Sequence, residues 1–215
     1  MTNKVKYVVA GVSGIATLIW IALIKLVDVA AIGPNGTSIG LSHINMSVHE
    51  ILGESMLWYN ITEVLGIVAI LTAGAFALYG GVQLIKGKSL AKVDREIYVL
   101  GGLYAAVIIL YALFEKVIIN YRPIIMPDCE EPEASFPSSH TMLICVVMGS
   151  AIMLLNKYIE NEKLRVVLQI ICGAILVVTV VGRLLSGAHW FTDIIGGILI
   201  SITLLAVFSA IKDGK

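Results

Sequence analysis

The stretch VLGIVAILTAGAFALYGGVQLI, residues 64–85, contains no charged side chain. A run of about 20 predominantly apolar residues is what a helix needs to cross the hydrocarbon core of a bilayer. Five more such runs lie around it, at about residues 7–27, 97–115, 141–158, 164–181 and 194–211. Six spans use roughly 120 residues, which leaves only short connections in a chain of 215. The sequence therefore specifies an all-α integral membrane bundle of six transmembrane helices, organised as one transmembrane unit over residues 1–215. The first run, Tyr7–Leu26, is too long for a signal-peptide core and reads as a retained signal anchor.

Composition agrees with the spans. Hydrophobic residues make up 58% of the chain, charged residues 14%, and the mean hydropathy is +0.93. Soluble domains carry about 25% charged residues. With 15 Lys and Arg against 15 Asp and Glu, the chain has neither the charge excess of a disordered segment nor the basic surface of a nucleic-acid binder. No nucleic-acid partner is expected, and oligomeric state is not legible. Cys129, Cys145 and Cys172 show no CxxC spacing and read as small apolar residues.

Basic residues orient the bundle. Lys4, Lys6, Lys86, Lys88, Lys92, Arg95, Lys157, Lys163, Arg165, Lys212 and Lys215 fall on one side if the helices alternate. Lys116, Arg122 and Arg183 fall on the other, and Lys25 lies at the end of the first span. The positive-inside rule makes the richer side cytoplasmic and puts both termini there. Lys25 and Asp28, three residues apart, read as a pair near the outer headgroups. After a GPNG turn, Ile44, Val48, Ile51, Leu52 and Trp58 recur at near-helical spacing. This pattern predicts an amphipathic helix after the first span, either at the outer interface with Trp58 and Tyr59 at headgroup level or packed on the bundle.

Three polar clusters interrupt the apolar chain, all on the outer side. They are Lys116 with Arg122, then Ser138, Ser139 and His140, then Arg183, His189 and Asp193. Ionisable groups at membrane depth default to function. Arginine guanidinium matches phosphate oxygens bidentately and lysine acts as a point charge. The start of the fourth span, at Ser138, offers backbone N–H groups to an anion. His189 and Asp193 are spaced i, i+4, which on one helix places both on one face and lets the carboxylate orient the imidazole. His140 is left to protonate a leaving oxygen. Residue types alone leave open which histidine attacks, except that only His189 has a carboxylate at helical spacing. The acidic run Asp128, Glu130, Glu131 and Glu133 reads as a solvated loop face or as a filter against soluble anions.

These clusters resemble the three-part signature of the type 2 phosphatidic acid phosphatase family, which shares its site with the vanadium haloperoxidases. That signature is K-x6-R-P, P-S-G-H and S-R-x5-H-x3-D. The corresponding residues here are Lys116-x5-Arg122-Pro123, Pro137-Ser138-Ser139-His140 and Gly182-Arg183-x5-His189-x3-Asp193. The resemblance implies His189 as the nucleophile that accepts the phosphoryl group, Asp193 as its orienter and His140 as the general acid. Lys116, Arg122, Ser138, Ser139 and Arg183 would bind the phosphate oxygens. It also implies no metal and no cofactor, and no Cys, His and carboxylate set has metal-ligand spacing.

Three departures stand out. The Lys–Arg spacing is one residue short, which on an unbroken helix turns Lys116 by about 100°. Ser139 replaces glycine, and this costs energy only if the backbone needs positive φ. Gly182 replaces serine and removes one donor. The implied protein is a lipid phosphate phosphohydrolase of the plasma membrane with its site on the extracytoplasmic side. Its substrate would be phosphatidic acid, phosphatidylglycerophosphate or polyprenyl diphosphate. The alternative is a weak or inactive relative that binds phospholipid headgroups. A small transporter lacks support, because the sequence shows no inverted repeat and no ionisable pair midway through two spans.

Overall fold

The computed structural model describes residues 2–126 and 129–214. Asp128 of the acidic run and Lys215 of the basic set lie outside the described residues. Seven α-helices form in chain order: α1 Asn3–Leu26, α2 Ser42–Leu52, α3 Met56–Gly87, α4 Arg95–Lys116, α5 Ser139–Tyr158, α6 Glu162–Leu185 and α7 Phe191–Lys212. All but α2 are long and apolar enough to cross a membrane. The chain is a multi-pass membrane protein built only of helices and loops among the described residues.

Helix α5 is the centre of the bundle, packed against α3, α4, α6 and α7, while α1 lies along α7. Ten of its 20 residues are buried, and it is the least apolar of the six spans. The two facts have one cause. A helix surrounded by protein does not need a lipid-compatible surface, so Thr141, Ser150 and Cys145 are tolerated on it. Met142 and Val146 of α5 pack with Leu100, Leu103 and Val107 of α4 and with Ile200 and Phe208 of α7. The outer helices show the opposite pattern. Val12, Ile15 and Leu18 of α1, Leu71 and Leu78 of α3, and Ile170 of α6 are exposed. In water they would be a large apolar patch; in a bilayer they face acyl chains.

Both termini sit at one end of the bundle. Lys6 of α1 is ion-paired to Asp213 just after α7, and Arg95 at the start of α4 donates to Ile211 O and to Gly214 O. Lys157 at the end of α5 binds Glu96 of α4 at 2.7 Å.

Two expectations change at the opposite end. Asp28 does not pair with Lys25. Its carboxylate accepts from His43 N at 2.8 Å and Ser42 Oγ at 3.0 Å, fixing the first turn of α2. Trp58 and Tyr59 do not belong to the amphipathic helix. Ser55 N-caps a new helix, accepting from Trp58 N, so α3 begins at Met56 rather than near Val64 and carries both aromatics. Helix α2 packs on the start of α7 through Asn45, which is fully buried, while Ile44, Ile51 and Leu52 remain exposed. Asn45 accepts from Thr192 N at 3.1 Å and donates to Gly40 O at 2.9 Å.

Candidate active site

The end opposite the termini holds the polar clusters, and its geometry starts from a loop. The stretches 117–126 and 129–138, after α4 and before α5, pair with each other. Arg122 N donates to Glu133 O at 3.0 Å and Ser135 N to Asn120 O at 2.9 Å. This pairing places Arg122 and Ser135 side by side beneath the 186–190 turn. Phe136 then inserts against Gly196 of α7, where any Cβ would lie 2.2 Å from the ring. A glycine is needed there for the loop to seat.

His189 precedes α7 rather than standing on it, because the helix begins at Phe191. The i, i+4 spacing to Asp193 therefore does not place the two side chains together on one helical face, and no direct hydrogen bond joins them. Ser135 stands between. Its Oγ donates to Asp193 Oδ2 at 2.6 Å and lies 3.1 Å from His189 Nδ1; its carbonyl oxygen is also 3.1 Å from Nδ1. A carbonyl can only accept, so Nδ1 carries the proton and Nε2 bears the lone pair. His189 Nε2 is buried and has no hydrogen-bond partner among the described residues. Burial pushes the His189 pKa well below the usual imidazole value, with Arg122, Arg183 and His140 adding to the shift. Burial thus favours the neutral ring, with the Nε2 lone pair unengaged by any described residue.

Asp193 is fully buried and fully engaged. Besides Ser135, its Oδ2 accepts from Trp190 N at 3.0 Å, closing the first turn of α7, and its Oδ1 accepts from Asn120 Nδ2 at 3.4 Å. A carboxylate in that first turn also complements the helix dipole.

Arg183, near the end of α6, is 1% exposed. Its guanidinium donates to Glu63 Oε1 at 3.0 Å, Thr62 Oγ1 at 3.2 Å and His140 Nδ1 at 2.6 Å, and it lies 4.9 Å from the centre of the Tyr59 ring. Arg122 donates to Ala188 O at 3.4 Å and is ion-paired to Glu133 at 3.3 Å. The acidic run thus does more than face solvent: Glu133 holds one of the two arginines. Ser138 N-caps α5 by accepting from Thr141 N, and its backbone N–H donates to Asp193 O. Ser139 sits in the first turn of α5 without positive φ, so its Cβ brings no strain. A cleft lined by Arg122, Ser135, Ser139, Glu115, Tyr111 and His189 adjoins an apolar cavity of about 300 Å³ between α4 and α5, lined by Val107, Ile108, Leu143 and His140.

Lys116 is not brought into this cluster. It is the last residue of α4, is exposed, and its side chain makes no hydrogen bond or ion pair among the described residues. Glu115, at the position where the K-x6-R spacing asks for lysine, lines the cleft instead. Gly182 has a packing reason. A Cβ there would meet Thr62 Cγ2 at 2.7 Å and the Trp58 ring at 3.1 Å. The missing serine is what lets the start of α3 close on α6 and bring Tyr59, Thr62 and Glu63 to Arg183.

Ser135, Glu63, Tyr59 and Asn120 are the site residues that sequence reasoning missed. The signal available for Glu63 was a carboxylate at the outer edge of an apolar span. Ser135 and Asn120 lie in a loop with no periodicity and become legible only through the backbone pairing.

The profile of the PAP2 superfamily matches residues 96–215, and the chain belongs to that family. Over 84 residues it is 33% identical to phosphatidylglycerophosphatase B of Bacillus subtilis (strain 168), a stretch that spans 39% of this chain and 41% of that relative. The fold is similar to the crystal structure of a transmembrane PAP2 type phosphatidylglycerolphosphate phosphatase from Bacillus subtilis. The TM-score is 0.65 with 18% identity, over 93% of this chain and 94% of that one.

Proposed function

We propose that the protein is a membrane lipid phosphate phosphohydrolase that works through a phosphohistidine at His189. The observation that carries this reading is the buried, unpartnered Nε2 of His189, set by a proton-bearing Nδ1 and bordered by two arginines. As its lone pair forms a P–N bond, the bond from phosphorus to the lipid oxygen breaks, and His140 gives that oxygen a proton. In the second half His140 takes a proton from water, the water oxygen bonds to phosphorus, and the P–N bond breaks to release phosphate. Ser135 and Asp193 hold the imidazole and stabilise its positive charge. Arg122 and Arg183 stabilise the phosphoryl oxygens, with the hydroxyls of Ser138 and Ser139 at the start of α5 as further donors. The apolar cavity beside His140 suits the lipid part of the substrate, with the headgroup in the polar cleft.

Phosphatidic acid, phosphatidylglycerophosphate and polyprenyl diphosphate are the candidate substrates. The name of the Bacillus relative puts phosphatidylglycerophosphate first. The test is phosphate release by purified protein in detergent across these lipids, with and without EDTA. Two arginines supply the charge that a metal would, so hydrolysis should continue undiminished in the chelator. Orthovanadate, which adopts a five-coordinate shape like that of phosphoryl transfer, should inhibit. Loss of activity in EDTA restored by a divalent ion would refute the metal-free reading.

A headgroup-binding protein without turnover is the second reading. Glu115 in the cleft in place of lysine favours it, and the same assay separates the two.

The charge distribution further supports a plasma membrane protein with its site on the extracytoplasmic side. In a chain whose three cysteines are replaced by serine, Glu131→Cys should react with an impermeant thiol reagent on intact cells. Ala91→Cys, in the connection between α3 and α4, should react only after permeabilisation. The reverse pattern would invert the topology and the leaflet of the substrate.

A further inference from the structure

Helix α3 contributes a face to the site that the three motifs do not include. Glu63 Oε1 lies 3.3 Å from His140 Nε2 and 3.0 Å from Arg183 Nη2. One turn further along α3, at Gly66, a Cβ would stand 3.0 Å from His140 Cδ2 and 3.1 Å from Nε2. The imidazole therefore rests edge-on against α3 at a position where a side chain would displace it.

The hydrogen bonds assign its two nitrogens. Arg183 has only donors, so His140 Nδ1, 2.6 Å from Nη2, is the acceptor. The proton of the neutral ring is then on Nε2, facing Glu63. Nδ1 is the nitrogen turned toward the arginine that the proposed reaction aims at phosphate.

We propose that Glu63 is the positioning residue of the general acid His140, forming a second carboxylate–histidine pair in the site. This rests on the phosphatase reading given above. When phosphate oxygens take over Arg183, Nδ1 is released and can carry the second proton. Glu63 then accepts from Nε2–H, holds the ring's orientation and stabilises the imidazolium. The Nδ1 proton passes to the lipid oxygen as its bond to phosphorus breaks and the bond from His189 Nε2 forms. The proton returns to Nδ1 from the attacking water in the second half. Among the described residues, the charged and titratable groups around His140 are Glu63 of α3, Arg183 of α6, Arg122 after α4 and His189 of the turn before α7. Glu63 is the single carboxylate among them.

Glu63→Gln keeps an oxygen acceptor for Arg183, which Thr62 and Tyr59 also brace, and removes only the charge. The experiment compares wild type, Glu63→Gln and Glu63→Asp in detergent, on a lipid phosphate with an alkoxide leaving group and on p-nitrophenyl phosphate. General acid catalysis is worth about 10²–10⁴-fold on a poor leaving group and little on a good one. Glu63→Gln should lose roughly tenfold or more in kcat on the lipid. On the aryl ester it should stay within about twofold of wild type. Glu63→Asp should recover part of the loss. Equal losses on both substrates would mark a merely structural role and overturn the assignment. So would no loss on either, or no recovery with Asp. A wild type inert toward both esters would instead overturn the phosphatase reading, and this proposal with it.

Discussion

His189→Ala should abolish hydrolysis of every phosphate ester, whatever its leaving group. The loss expected is on the order of 10⁴-fold or more, as for other enzymes stripped of their nucleophile. The argument rests on Nε2, whose lone pair is buried, free of partners and held in place from the other side of the ring. No neighbouring group can substitute. His140 has both nitrogens engaged by Arg183 and Glu63, and the carboxylate of Asp193 is spent on Ser135, Trp190 and Asn120. The variant should fold, because the Ser135–Asp193 bond that seats the loop does not pass through the imidazole. Phosphate release from a lipid phosphate and from an aryl phosphate, measured on protein that elutes like wild type in detergent, checks this. Substantial turnover of the aryl ester would show that the attacking group is elsewhere.

Arg183→Lys should be the most costly charge-conserving change, at roughly 10²–10³-fold in kcat, the cost of losing a transition-state donor. The guanidinium is buried and makes three hydrogen bonds at once, to Glu63, Thr62 and His140. A lysine ammonium cannot reproduce that planar fork or the stacking over Tyr59. Arg122→Ala should also be severe. Lys116→Ala should cost about fivefold at most, the ceiling for an exposed charge worth about 1 kcal/mol. The order is read from kcat/KM of the three variants on one lipid phosphate. If Lys116→Ala is the most damaging, α4 must extend or turn on substrate binding to bring that side chain into the cleft.

The fold was legible because lipid imposes a repetitive demand. Each span had to be an unbroken apolar run, and six such runs are visible without any knowledge of contacts. Their ends were harder. Residues 56–63 mix Trp58, Tyr59, Asn60 and Glu63 with apolar side chains, so the pattern placed the second span from Val64 when the helix starts at its Ser55 cap. In the site, the residues that repeat a known signature could be found at fixed spacings, while their geometry could not. His189 and Asp193 are four apart, yet the helix starts between them, and a serine 54 residues upstream supplies the link. Glu63 reaches Arg183 across 120 residues of sequence. Such contacts are made once, by single residues, and leave no period to detect. The glycine at 182 looked like a lost donor, and in three dimensions it is a space that Trp58 and Thr62 fill.

The claim on which the rest depends is that phosphate passes through His189, and trapping that adduct tests it most directly. Purified protein is mixed with phosphate-labelled lipid substrate, quenched within the first turnover, and the label on the protein is tested in acid and base. A phosphohistidine is lost in acid and survives base. The account predicts such a label on wild type, and none on His189→Ala. It predicts a label on His140→Ala when the substrate has a good leaving group. Label on His189→Ala together with its absence from His140→Ala would contradict the account and reverse the roles of the two histidines.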